Sequence, residues 1–176
     1  RVAINSADAE SYGYLYQWGR DTDGHESRLI ITTTPGPVDS DKVGNDFITS
    51  TSHTWLTVKD PNRWSENDFG WRKRAHDPCP DGYRVPLRSE LKAEFDAIYL
   101  NEDSFNNTKL KLPFAGWRTP RGGEPEQEGL IGRYWTSTYG DGENEAYAYT
   151  INPLNGGIGG SPAAFGYSVR CTKEGD

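Results

Sequence analysis

The side chains with reactive chemistry are few and scattered. Cys79 and Cys171 form neither a CxxC pair nor a metal-ligand cluster. Two readings stay open for them: buried free thiols, or a disulfide tying mid-chain to the C-terminal end. His25, His53 and His76 fall in three separate loop-like segments, and each reads as a surface histidine. A metal site or a catalytic triad would need them to converge. The segment DTDGHE offers Asp21, Asp23 and Glu26 as oxygen donors for Ca²⁺. Its spacing only partly follows a calcium loop and lacks the distal Glu, so a solvated turn is the simpler reading. Glu124, Glu126 and Glu128 alternate in GEPEQEG and read as a solvated acidic loop. The WRKR run over 71–74 is the most basic stretch, and it reads as a solvated face or local ion pairing.

A different chemistry is offered by Tyr134–Arg170, YWTSTYGDGENEAYAYTINPLNGGIGGSPAAFGYSVR. It is rich in Tyr, Gly, Ser and Asn, and no Lys or Arg lies inside it. Such a composition suits a binding surface. Tyr gives a large, stiff contact area, and small residues give adaptable hydrogen bonds. Within AYAYTIN, Tyr147, Tyr149 and Ile151 alternate with Ala148, Thr150 and Asn152. A strand with one covered face would bury the first set and expose the second. Trp135 and the Ser168–Cys171 strand are the expected further anchors.

The rest of the chain must hold that surface. Its 176 residues suit one domain with a sizeable core. The hydrophobic fraction is 34% and mean hydropathy is −0.83, so aliphatic residues are scarce. Six Trp, ten Tyr and six Phe can compensate, because each buries a large area. Twenty Gly and eleven Pro favour turns over long helices. The net charge of −7, without a strong cationic cluster, argues against duplex nucleic acid as a partner. No apolar run is long enough to insert in a membrane, and no signal-peptide pattern is visible. The chain begins at Arg1, and a processed or trimmed chain is expected.

The elements expected are short. SYGYLYQWG places Tyr12, Tyr14 and Tyr16 in alternation, as on a strand with one aromatic face. LIITTT (29–34) and TWLTV (54–58) are strand candidates. DPCPDGYRVP (77–86) reads as a rigid, extended connector. LRSELKAEFDAIYL (87–100) predicts the one strong helix, with Leu91, Phe95 and Ile98 on one stripe. KLKLPFAGWR, GRYWTST, AYAYTI and FGYSVRC read as further strands. The pattern predicts an α+β chain of short antiparallel strands, one or two helices and long irregular loops.

Four motifs occur in order along the chain: NSADAESYGYLYQWG, DPCPDGYRVP before a helix, LPFAGWR followed by GRYWTST, and GYSVRC. With them the sequence resembles the Fibrobacter succinogenes major paralogous domain family over roughly residues 3–173. That family is similar in fold to C-type lectins and to the formylglycine-generating-enzyme domain. The resemblance implies a C-type lectin-like fold over the whole chain, 1–176, with a ligand-binding region at 134–170. It also implies a Cys79–Cys171 disulfide, which would stabilise by about 4–5 kcal/mol in the loop-entropy model. One departure is visible. Such domains carry Thr after RVP, where it would cap the helix, and here Leu87 takes that place. The helix start is then less well satisfied, by about 1 kcal/mol.

The resemblance bears on function in three ways. Formylglycine-generating relatives are oxidases with reactive cysteines, but the two cysteines here sit at structural positions, so no enzyme activity and no catalytic residue are expected. Calcium-dependent lectins use EPN or QPD triplets, and GEPEQEG has EPE with no amide, so neither metal nor cofactor is expected. Some domains with this ending resemble variable proteins of diversity-generating retroelements, in which mutated Asn codons never become Lys, Glu, Gln, Met or Trp. Residues 146–167 contain none of these five types. The expected function is therefore a non-enzymatic, receptor- or adhesin-type domain displaying a sequence-variable surface. Its candidate ligand-binding residues are Tyr139, Asp141, Asn144, Ala148, Thr150, Asn152, Leu154, Asn155, Phe165 and Tyr167. Tyr139, Phe165 and Tyr167 are expected to carry most of the affinity. The ligand would be a protein or glycan, and the setting outside the cell, on a cell surface or on a viral particle. The alternatives are a fixed-sequence adhesin or polysaccharide-binding module and, from another class, a formylglycine-generating-type oxidase.

Overall fold

A computed structural model of the chain describes residues 2–29, 32–64, 73–96, 110–140, 146–152 and 156–175. Among these residues the fold is mostly β, with one short α-helix. A 3-10 turn at Ala9–Ser11 leads to β1 (Tyr16–Gln17), β2 (Thr33–Pro35), β3 (Phe47–Thr49) and β4 (Tyr83–Arg84). The helix α1 (Arg88–Asp96) follows. Then come β5 (Trp117–Arg118), β6 (Pro125–Glu126), β7 (Gly132–Tyr139), β8 (Ala146–Ile151), β9 (Gly156–Ser161), β10 (Gly166–Tyr167) and β11 (Thr172–Lys173).

Three of the four sheets are antiparallel: β1-β10-β5-β6, β7-β8-β9, and β4 with β11. The pair β2–β3 is parallel, which departs from the antiparallel expectation. The Cys79–Cys171 disulfide is formed and leads directly into the β4–β11 pair. It joins the segment before α1 to the C-terminal end of the chain.

Several expected strands are shorter or absent. The Tyr12–Tyr14–Tyr16 alternation does not make a strand, because Gly13 has φ 66° and turns the chain; Tyr14 points out while Tyr12 and Tyr16 are buried. TWLTV contributes only a single bridge from Leu56 to Val38. KLKLPFAGWR is broken at Lys111, which has φ 47°, and supplies only β5. FGYSVRC splits into β10, a bridge from Ser168 to Tyr134, and the approach to β11. The Gly-rich strand β9 was not foreseen.

Long ladders are few, so side chains pin the irregular backbone. Four buried indoles each donate to a carbonyl on a distant segment. Trp18 bonds Thr136 O (2.9 Å), Trp55 bonds Trp18 O (2.7 Å), Trp64 bonds His76 O (2.7 Å) and Trp135 bonds Tyr16 O (2.7 Å). Each ring thus removes a large apolar area from water and satisfies a buried carbonyl. Gln17 works in the same way. Its amide donates to Ile48 O (2.8 Å) and Ala164 O (2.7 Å), and its Oε1 accepts from Ile48 N (3.0 Å) and Arg20 Nη1 (2.9 Å).

The connector before the helix is held by Asp77, whose buried carboxylate accepts from Cys79 N (2.8 Å) and Val85 N (2.9 Å). The missing Thr cap of α1 is replaced from two directions. Glu90 Oε2 accepts from Leu87 N (2.7 Å), half of a capping box, and Thr138 Oγ1 on β7 accepts from Arg88 N (3.0 Å). Arg84 clamps the same Glu90 through two bonds of 2.7 and 2.6 Å. Leu91 and Phe95 are the buried face of α1; Ile98 lies outside the described residues.

Candidate functional site

The three-stranded sheet β7-β8-β9 is covered on both faces near its middle. In antiparallel pairs, directly opposed residues share a face. The register places Trp135 opposite Ala148, and this pair faces the large core with Trp18, Trp55 and Tyr167, while Gly159, opposite Ala148 on the edge strand, is exposed. Tyr134 and Tyr149 lie on the other face against Leu91, Phe95 and Leu112. The Phe95 and Tyr149 rings are stacked. A register shift between Trp135 and Tyr139 frees the intervening polar residues to bond elsewhere. Thr136 Oγ1 donates to Tyr147 O (2.8 Å), and Ser137 N donates to Pro86 O (2.8 Å).

This double cover corrects two of the candidate residues. Ala148, expected to be exposed, is 4% exposed because it packs beneath Trp135 rather than facing solvent. Tyr167, expected as an affinity anchor, is 1% exposed. Its ring lies 4.3 Å from Trp135, and its hydroxyl meets Ser161 Oγ (2.6 Å) and accepts from Arg133 Nη1 (2.8 Å). Burial raises its pKa. Tyr167 belongs to the scaffold. The core/exposed alternation along β8 also holds only for Tyr149, since Tyr147 is half-exposed beneath Arg88, 4.0 Å from its ring centre.

The remaining described candidates are half-buried and fall at two ends of the sheet. Tyr139 ends β7 opposite Ala146, its ring 4.9 Å from Trp18. It borders a shallow groove shared with Trp55, Lys59, Asp60 and Arg63. Thr150 lies four residues along β8 from Ala146, on the same face, opposite Arg133 and Gly157; Asn152 follows the strand. That separation is about 13 Å along a strand. Phe165 lies 5.6 Å from Tyr167, half-buried against the core. Asp141, Asn144, Leu154 and Asn155 lie outside the described residues.

The structure adds four residues to this surface. Gly157 and Gly159 lie exposed on β9, and a side chain at either would meet nothing within 4 Å. Both share a face with Thr150 and Ala148. Arg133 lies opposite Thr150, and its guanidinium stacks on Trp117 at 4.1 Å and lies 5.4 Å from the Tyr167 ring. Trp117 is half-exposed on β5. Arg133 is the only Lys or Arg between Arg121 and Arg170, and it sits two residues before Trp135, hence on the same strand face. That spacing was the available signal.

The groups singled out for reactivity are engaged structurally. His25 is fully buried, not a surface residue. Its Nε2 accepts from Gln17 N (3.0 Å), which leaves the proton on Nδ1 for Asp23 Oδ1 (2.6 Å). Burial pushes its pKa down to about 4, keeping it neutral. Asp23, His25 and Glu26 do cluster. Yet Asp23 Oδ2 accepts from Arg20 Nη2 (2.7 Å), Glu26 Oε2 accepts from Gly24 N (2.9 Å), and Asp21 pairs with His76 instead (3.0 Å). With both imidazole nitrogens and the carboxylates so engaged, the cluster is a fold lock rather than a built cation site. His53 is exposed and His76 half-buried. In the basic run, Lys73 pairs with Asp81 (3.4 Å), and positions 71 and 72 lie outside the described residues. Both thiols are consumed in the disulfide. No helix among the described residues is long and apolar enough to cross a membrane. Compared with protein-family models, with curated proteins and with solved structures, the chain matches none.

Proposed function

We propose that this chain is a non-enzymatic ligand-binding domain of C-type lectin-like architecture, displaying a sequence-tolerant surface from the β7–β9 sheet outside the cell. The observation that carries the reading is the separation of surface from scaffold on β9. Gly157 and Gly159 open to empty space, while neighbours on the same face, Ala146, Ala148 and Ser161, are buried. Side chains can therefore change at the open positions without entering the core. Half-exposed Thr150, opposite Gly157, extends the same property, while half-exposed Tyr139 and Phe165 rest on the core; Tyr and small residues suit protein recognition. The disulfide fits an oxidising compartment. It also ties up the thiols that an oxidase of the formylglycine-generating type would need.

Deep sequencing of the gene's 3′ region across its source population tests this. A diversified surface gives substitutions concentrated at codons 139, 150, 152, 157, 159 and 165, with 135, 148 and 167 constant. A uniform sequence throughout would overturn diversification and leave a fixed adhesin-type site. Equal substitution at buried and open codons would overturn the assignment of the surface itself.

A further inference from the structure

Arg133 differs in its partners from several other arginines of the fold. Arg84 has Glu90, Arg28 has Glu128 (2.6 Å) and Arg20 has Asp23. Arg133 has no carboxylate within ion-pair distance among the described residues. Its guanidinium is held flat by Trp117, and Nη1 is aimed by the Tyr167 hydroxyl. Its Nε–H is buried without an acceptor, while the residue as a whole is half-exposed. The same Tyr167 hydroxyl bonds Ser161, which lies opposite Ala146. The Arg133 side chain therefore reaches from the Thr150 level toward the Ser161 end. Gly157 and Gly159 lie on the same sheet face two strands away, with open space where side chains would stand.

We infer that Arg133 is the charged anchor of the binding surface, and that it takes a single Asp or Glu side chain of a protein ligand whose neighbouring residues are neutral. A guanidinium packed over an aromatic ring loses little rotamer freedom on binding, and its terminal Nη donors can bond a carboxylate. The open glycines let a ligand backbone approach closely. The surroundings restrict the charge of the ligand. Across the whole chain the net charge is −7, and Glu126 lies opposite Trp117, so a polyanion is repelled while one carboxylate on a neutral segment is not. The Tyr-, Gly- and Ser-rich surroundings favour a peptide over a sugar acid.

This inference rests on the β7–β9 face being the binding surface, and its test is independent of the codon survey. ¹⁵N-labelled protein is titrated with the tripeptide Ac-Gly-Glu-Gly-NH₂, with Ac-Gly-Gln-Gly-NH₂ and with methyl β-D-glucuronide. The Arg133 Nε–H and Trp117 Nε1–H resonances are followed. The expected result is saturable shifts of both signals with the Glu peptide, at about tenfold higher affinity than for the Gln peptide. Arg133→Lys keeps the charge but loses the fork and the stack, and it should weaken binding at least several-fold. Arg133→Gln should abolish it. Equal response to the Glu and Gln peptides overturns the proposal, as does Glu-peptide binding that survives in R133Q. Tighter binding of the glucuronide than of the Glu peptide replaces the protein ligand with an acidic sugar and overturns the commitment to a peptide. The comparison of Glu and Gln peptides on the unmodified protein decides the matter if R133Q fails to fold. Failure here with a diversified codon pattern would leave the surface intact and remove only its anchor.

Discussion

Tyr167 distinguishes scaffold from surface most sharply. The sequence suggests an affinity residue on the surface. Its burial at 1% exposure, its 4.3 Å contact with Trp135 and its hydroxyl bonds to Ser161 and Arg133 make it core. Truncating a buried aromatic to Ala costs about 3–5 kcal/mol. In a chain of this length each kcal/mol shifts Tm by about 2–4 °C. Tyr167→Ala should therefore lower Tm by roughly 10 °C. Tyr167→Phe keeps the ring and removes the hydroxyl, leaving Ser161 and Arg133 each short of a partner, for about 1–2 kcal/mol. Phe165→Ala, half-buried, should fall well below Y167A. Calorimetry or intrinsic-fluorescence melts under non-reducing conditions measure all three. A double-mutant cycle of Y167F with Ser161→Ala then isolates the 2.6 Å bond. A Y167A melt within about 2 °C of the parent would refute the assignment, since no fully packed tyrosine is lost so cheaply.

Four further outcomes are expected. Reducing Cys79–Cys171 should destabilise the fold by about 4–5 kcal/mol in the chain-entropy model, read as a large drop in urea midpoint with dithiothreitol. His25 is held neutral by burial with a pKa near 4, so the unfolded chain binds its proton first as pH falls. Stability should thus be fully present above about pH 6.5 and lose about 3 kcal/mol down to pH 4; His25→Gln should flatten that part of a Tm–pH profile, and an unchanged slope would sink the idea. On β9, Gly157→Ala and Gly159→Ala should leave Tm unchanged or slightly raised, whereas Gly156→Ala, whose Cβ would run into the Tyr149 hydroxyl, should cost about 1–3 kcal/mol. Thr138→Ala should cost about 1 kcal/mol by exposing the Arg88 N–H at the start of α1, measurable by urea unfolding.

What the sequence revealed depended on how local the cause was. The helix was visible because Leu91 and Phe95 repeat at helical spacing, and β8 because its tyrosines alternate with small residues. Strand β9 was hidden because glycine has low strand propensity; its six residues pair only because β8 offers them a ladder. Ala148 was misplaced because a period of two says which residues share a face, not whether both faces are covered. The cover over Ala148 comes from the large core, with Trp18 and Trp55 distant in sequence. His25 looked exposed because its segment is polar, yet Gln17, Asp23 and the Tyr16 ring enclose it. The helix cap was sought in the RVPL segment, while its replacement came in part from Thr138, fifty residues on.

The same non-local bonding explains how a chain so poor in aliphatic residues can leave a surface free to change. A strand that owes its place to its own side chains cannot vary them. Strand β9 owes its place to backbone pairing with β8, and β8 is fixed by Tyr149 on one face and by Ala146 and Ala148 on the other. The loops around it are fixed by indole and amide bonds from Trp18, Trp55, Trp135 and Gln17, none of which is among the candidate surface residues. Stability and recognition are thus assigned to different side chains on the same short strands. Arg133 is where the two meet: its Nη1 is bound to Tyr167 in the scaffold, while the residue itself is half-exposed. Substitutions at Gly157 or Gly159 should therefore change which ligand reaches Arg133 and leave the melting temperature unmoved. A strong correlation between ligand affinity and Tm across such variants would contradict that division.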